Sequence, residues 1–188
     1  CKEVTVMYRK DQAKLYYLYM LSDGEASDNE KKLFTTICKE LSIYADEKKS
    51  IIKECKNIPF DNIFDEIKGL AGEPVEEKND IYKLAVALSM FGNADDYASI
   101  LWNLINLGYA DIKYTYEERE IVDFLRNHWK ITEDLYQEMI DVAETCLALE
   151  EHKKWVESLE DSSYKDEKMK QIKKDIKSAQ DGIKITLA

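Results

Sequence analysis

Apolar positions recur at helical spacing along almost the whole chain. Ala13, Leu15, Tyr16, Tyr17, Leu18, Tyr19, Met20 and Leu21 leave no polar face between Gln12 and Ser22, the pattern of a buried helix. Asp23-Gly24 closes that run, glycine being the residue that enters the left-handed region at least cost. Ser27-Asp-Asn-Glu30 reads as a capping box. Its hydroxyl and carboxylate would satisfy free amides of a helix running to about Tyr44 on Leu33, Phe34, Ile37, Cys38 and Leu41. Short helices follow over 45–56 and, after Pro59, over 60–70. Gly69 to Lys78, with Gly72 and Pro74, is the best linker in the chain. Residues 79–92 predict a helix carrying Ile81, Leu84, Ala85, Leu88 and Phe91. The run 95–108 is again apolar on nearly every face, interrupted by Asn103 and Asn106. Thr115-Tyr-Glu-Glu118 is a second capping box, opening a helix on Ile121, Val122, Leu125 and Trp129.

The longest predicted helix starts at Thr132 or Glu133. Leu135, Met139, Val142, Cys146 and Leu149 step by four and three, and Val156 and Leu159 keep the register. After a break at 160–163, Met169, Ile172, Ile176, Ala179 and Ile183 repeat the pattern. Two such seams joined by a short turn predict an antiparallel helical hairpin, its last helix (160–188) docking on the long helix 132–159. The expected division is a helical domain over 1–159 and this terminal element. Residues 1–10 are left as a lead-in.

A gap-free shift of 88 residues superimposes the halves: Asp23 on Asp111, Ser27 on Thr115, Glu30 on Glu118, Leu33 on Ile121 and Ile37 on Leu125. Strict identity is low. The agreement lies in the order of features: buried helix, acid, capping box, amphipathic helix. This predicts an all-α fold with two pseudo-repeats, about 11–58 and 95–146.

Composition narrows the class. With only six Gly and two Pro in 188 residues, and 35% charged side chains, the chain is mostly helical and globular. No run approaches the roughly 20 apolar residues of a membrane span. The net charge of −11 argues against nucleic acid, whose phosphates call for a basic surface. The charge is uneven, +3 from Tyr164 onward and −14 before it. Cys38, Cys55 and Cys146 lack metal or redox spacing and read as small buried hydrophobes of a reducing cytoplasm. His128 and His152 share no ligand spacing. Tyr16, Tyr17, Tyr19, Trp102, Trp129 and Trp155 are expected in the core.

Leu15 to Glu30, read as Leu-x-x-Leu-x-x-Leu-Ser-Asp-Gly-Glu-x-Ser-x-x-Glu, resembles the signature of the TerB-like tellurite-resistance family. Asp111 to Glu118 resembles its second copy, with Ile112 where glycine would stand. The resemblance covers about residues 11–150. It implies a cytoplasmic bacterial domain of stress or metal-resistance systems, with Asp23, Glu30, Asp111 and Glu118 as candidate metal ligands. Four such oxygen donors suit a hard divalent cation, Ca²⁺, Mg²⁺ or Mn²⁺. The spacing is not that of an EF-hand, and no Glu-x-x-His supports a di-iron bundle. Each Glu also has a purely structural explanation as a helix cap. Asp23 and Asp111 stand at helix C-termini, where the macrodipole disfavours an anion. Phosphate-loop, nucleophile-elbow and zinc-protease signatures do not occur. The expectation is a non-enzymatic binding or scaffolding module with a protein partner. A metal-free interaction module and a carboxylate-dependent metalloenzyme are the alternatives.

Overall fold

A computed structural model describes residues 7–24, 26–72, 97–110 and 114–187. Among them the chain is all-helical, with eight α-helices and one 3₁₀ turn. It divides into two compact units, Cys1–Ile131 and Thr132–Ala188. The predicted helix over 79–92, the linker beyond Gly72 and the acid Asp111 lie outside the described residues.

The first unit contains α1 (Arg9–Met20), α2 (Asp28–Glu40), α3 (Ala45–Lys56), α4 (Ile63–Ala71), α5 (Tyr97–Gly108) and α6 (Tyr116–His128). Its centre is α1, which packs against each of the other five. That position is what its composition demands. Leu15 through Met20 are all buried, so every face needs a neighbour. α5 has the same character, burying Ile100, Leu101, Trp102, Leu104, Ile105 and Leu107. It lies against α1, α2 and α6. Fully burying one such side chain stabilises the fold by roughly 1.5–3 kcal/mol, so these two helices contribute a large share of the core among the described residues. Some polar groups inside are paired across or along the helices. Asn103 Nδ2 of α5 donates to Tyr16 Oη of α1 at 3.2 Å, and Gln12 Nε2 donates to the Met7 carbonyl at 3.0 Å.

The offset of 88 residues recurs in the backbone. α1 and α5 are both 12 residues long, and Arg9–Met20 shifted by 88 is Tyr97–Gly108. α2 and α6 are both 13 residues, and Asp28–Glu40 shifted likewise is Tyr116–His128. Their C-termini also correspond. Ile43 N donates to the Cys38 carbonyl at 2.8 Å, and Ile131 N to the Arg126 carbonyl at 3.0 Å. This six-to-one bond forces the preceding residue into the left-handed region, Ser42 at φ 56° and Lys130 at φ 57°. Glycine is usual there, and its absence hid both helix ends in the sequence.

α4 is held by the end of α6. Trp129 Nε1 donates to the Ala71 carbonyl at 3.2 Å, and His128 Nε2 lies 2.8 Å from the Gly72 carbonyl. Both carbonyls belong to a helix terminus that has no intrahelical donor left. Pro59 precedes the 3₁₀ turn Phe60–Asn62, so α4 begins three residues later than the pattern predicts.

The second unit is a pair of 25-residue helices, α7 (Glu133–Glu157) and α8 (Ser163–Leu187), packed on one another. Thr132 caps α7 by accepting from Leu135 N at 3.4 Å. Thr186 Oγ1 donates to Glu138 Oε1 at 3.1 Å, so the end of α8 meets the start of α7. The seam buries Met139, Ala143, Cys146 and Val156 on one helix and Ile172, Ile183 and Leu187 on the other. The unit boundary therefore falls at Ile131/Thr132, ahead of the long helix, where the hydrophobic pattern placed it after Leu159. The reason is mutual: each seam is covered by the other helix. Trp155 corrects the expectation of three core tryptophans. Trp102 and Trp129 are buried, but Trp155 is 55% exposed.

Candidate functional site

Two turns carry the acids singled out by the sequence, and each is built by the helix it opens. At the start of α2, Ser27 Oγ accepts from Glu30 N at 3.2 Å and Glu30 Oε2 accepts from Ser27 N at 2.6 Å. At the start of α6, Thr115 Oγ1 accepts from Glu118 N at 3.3 Å, while Glu118 Oε2 accepts from Thr115 N at 2.8 Å. Glu118 Oε2 also accepts from Thr115 Oγ1 at 2.9 Å. Both predicted capping boxes are present. Both glutamates are buried, Glu30 at 4% and Glu118 at 3% exposure. A carboxylate so enclosed has one oxygen committed to its own N-cap amide.

Asp23 differs. α1 ends at Met20, and Leu21–Gly24 form a further turn in which Ser22 N donates to the Tyr19 carbonyl and Gly24 N to the Leu21 carbonyl. Gly24 takes φ +112°. Asp23 thus stands exposed on a turn beyond the helix end, where the macrodipole penalty is weaker than a C-terminal position implies. Asp111 lies outside the described residues.

Electrostatics link the two turns. The Glu118 carboxyl is raised from 4.5 to about 7, chiefly by burial, against the pull of Thr115's amide and hydroxyl. The charges of Glu30 and Asp23 raise it further. Glu118 therefore feels the charges of two of the other predicted ligands, Glu30 and Asp23. Even so, no group of three His, Cys, Asp or Glu among the described residues could hold a metal ion. Within the two turns, Glu30 and Glu118 each have one carboxylate oxygen, Oε2, bound to an N-cap amide.

No family model, no curated protein and no solved structure matches the chain. The reading of the site rests on its own chemistry.

Other reactive groups are muted. Burial pushes Cys38 and Cys55 up to about 11, leaving the thiols protonated, and Cys55 Sγ lies 4.0 Å from the Lys14 carbonyl. No helix among the described residues is long and apolar enough to cross a membrane.

Sequence reasoning missed the packing beside the second turn. Gly108, the last residue of α5, is needed for space. A Cβ there would come within 2.7 Å of the Tyr114 ring and would also meet the Tyr19 hydroxyl. Tyr114 packs on Tyr109 with ring centroids 4.7 Å apart, and the Arg119 guanidinium sits 5.0 Å over the Tyr114 ring. The signal available was Gly108 directly after an all-apolar helix with a tyrosine on either side of the acid.

Proposed function

We propose that the chain is a non-enzymatic binding or scaffolding module with the pseudo-two-fold helical bundle of TerB-like domains, completed by an antiparallel C-terminal hairpin. The observation that carries this reading is the repeat at 88 residues, which preserves helix bounds, capping boxes and left-handed termini together. In such a module the glutamates belong to the scaffold, and binding falls to the outer surface. A role in a bacterial stress or tellurite-resistance-type system follows from the family resemblance alone.

A second reading has one observation in its favour. The charges of Glu30 and Asp23 bear on Glu118, and a divalent cation drawn to the exposed Asp23 would relieve that repulsion. Titration calorimetry with Ca²⁺ and Mn²⁺ on the wild type and on Asp23→Asn/Asp111→Asn separates the two. The metal-free module predicts no heat of binding at millimolar ion for either protein. Wild-type binding that the double variant loses would establish the cation site instead. Turnover of common phosphoesters with either ion would overturn the non-enzymatic reading.

A further inference from the structure

α8 carries seven lysines against four acids in a chain of net charge −11. Lys165 is held by Asp161 at 2.9 Å, and Lys168 lies 5.8 Å over the Tyr164 ring. The next four, Lys170, Lys173, Lys174 and Lys177, are all exposed and make no ion pair among the described residues. Their spacing of three, four and seven places them on one face. At about 100° per residue, that face is centred about 130° around α8 from the buried Ile172, Ile183 and Leu187, so it is turned away from the seam.

Nothing in the helix pair neutralises this face. Thr186 meets Glu138, which sets Lys174 level with Glu150 of α7 and Lys173 level with Glu151. Glu150 is half-buried and held by Lys153 at 2.7 Å, and Glu151 forms no ion pair among the described residues. Along α8, Asp166 and Glu167 precede the face and Asp181 follows it, again without an ion pair to it among the described residues. Asp175, the one acid inside the stretch, accepts from Gln171 Nε2 at 2.7 Å.

The arrangement works against the free helix. Lys170 and Lys174, and Lys173 and Lys177, are like charges four residues apart, which repel on a helix surface. The four ammonium groups span seven residues, about 10 Å of helix, close to the Debye length of about 8 Å, so a ligand meets them as one field. Carboxylates laid along the face would relieve the repulsion. A membrane or a nucleic-acid duplex is too broad to meet the face alone and would also be repelled by the −14 carried before Tyr164. A narrow acidic segment touches only the two turns that attract it.

We infer that the outer lysine face of α8 docks an acidic helical segment of a protein partner, with carboxylates spaced three and four residues apart like the lysines they meet. The inference rests on the reading of the chain as a binding module and names the chemistry of its partner.

The test is fluorescence anisotropy of the full chain with a labelled helical peptide bearing four glutamates at the spacing of the lysines. Binding is expected at about 50 mM salt, with a dissociation constant that rises at least about tenfold by about 500 mM. Lys170→Gln/Lys173→Gln/Lys174→Gln/Lys177→Gln should weaken it at least about tenfold. Circular dichroism should show this variant at least as helical as the wild type, because the substitutions remove like-charge repulsion. Lys32→Gln/Lys39→Gln/Lys49→Gln/Lys53→Gln takes the same charge from exposed lysines of the first unit and should change binding by less than about twofold. Absence of binding at low salt overturns the inference, as does equal weakening by the two sets of substitutions. Tighter binding of phosphatidylserine vesicles or single-stranded DNA than of the peptide overturns it as well, since the occupant would then be of another class. None of these outcomes touches the metal and phosphoester measurements, which test the binding-module reading separately.

Discussion

Glu118→Gln isolates the cost of a buried carboxylate at the second turn. The wild-type side chain is 3% exposed and titrates near 7 when folded, against 4.5 as its ordinary value. A folded pKa raised above the unfolded one means that the native state holds the proton more tightly. The stability this group contributes is therefore complete below about 4.5 and is lost as pH rises through about 7. The separation corresponds to about 3 kcal/mol in full, of which about 2.5 falls between pH 5 and pH 8. Glutamine keeps an acceptor for the Thr115 amide and is tolerated in a capping box, but it cannot ionise. Urea unfolding of both proteins at the two pH values measures the effect. The wild type should lose about 2 kcal/mol more than the variant on going from pH 5 to pH 8. At the higher pH the variant should be the more stable protein, despite exchanging a charged hydrogen bond for a neutral one. Glu117→Gln, an exposed neighbour in the same turn, removes the same charge and should leave the pH slope unchanged. Equal slopes for the wild type and Glu118→Gln would refute the burial argument, as would a variant destabilised equally at both pH values.

Three further outcomes follow from local geometry. Gly108→Ala should lower stability by about 1–3 kcal/mol, because its methyl group must displace the Tyr114 ring; an unchanged urea midpoint would count against that packing. Lys130→Gly and Ser42→Gly should each stabilise by up to about 1 kcal/mol, relieving a left-handed conformation that a Cβ disfavours, and thermal unfolding reads the gain. Cys38 and Cys55 should resist a thiol reagent in the native protein and react fully in urea, since both are buried and held protonated; fast native labelling of either would contradict this.

The same local code, found twice at an offset of 88 residues, is put to different use. Both copies spend an acid on a capping box, which contributes about 1 kcal/mol to each helix start. After the left-handed residue the halves diverge. The first continues into the 12-residue α3, which lies on α1, and the second into the 25-residue α7, which pairs with α8 in a unit of its own.

What the sequence determined by itself was everything carried by nearest neighbours. The all-helical class, the two buried helices, both capping boxes and the repeat offset are written in spacings of three and four and in the Ser27/Glu30 and Thr115/Glu118 pairs. Such features depend on bonds that close within one or two turns. Tertiary structure decided what depends on distant parts of the chain. Glu118 has an altered acidity because the fold encloses it and brings the charges of Glu30 and Asp23 near. Gly108 matters because two tyrosines close over it. Trp155 is exposed, and α7 pairs with α8 because each hides the other's seam. Burial and electrostatics are set by what the folded chain brings close, and a linear pattern carries that information only where the neighbour is also near in sequence.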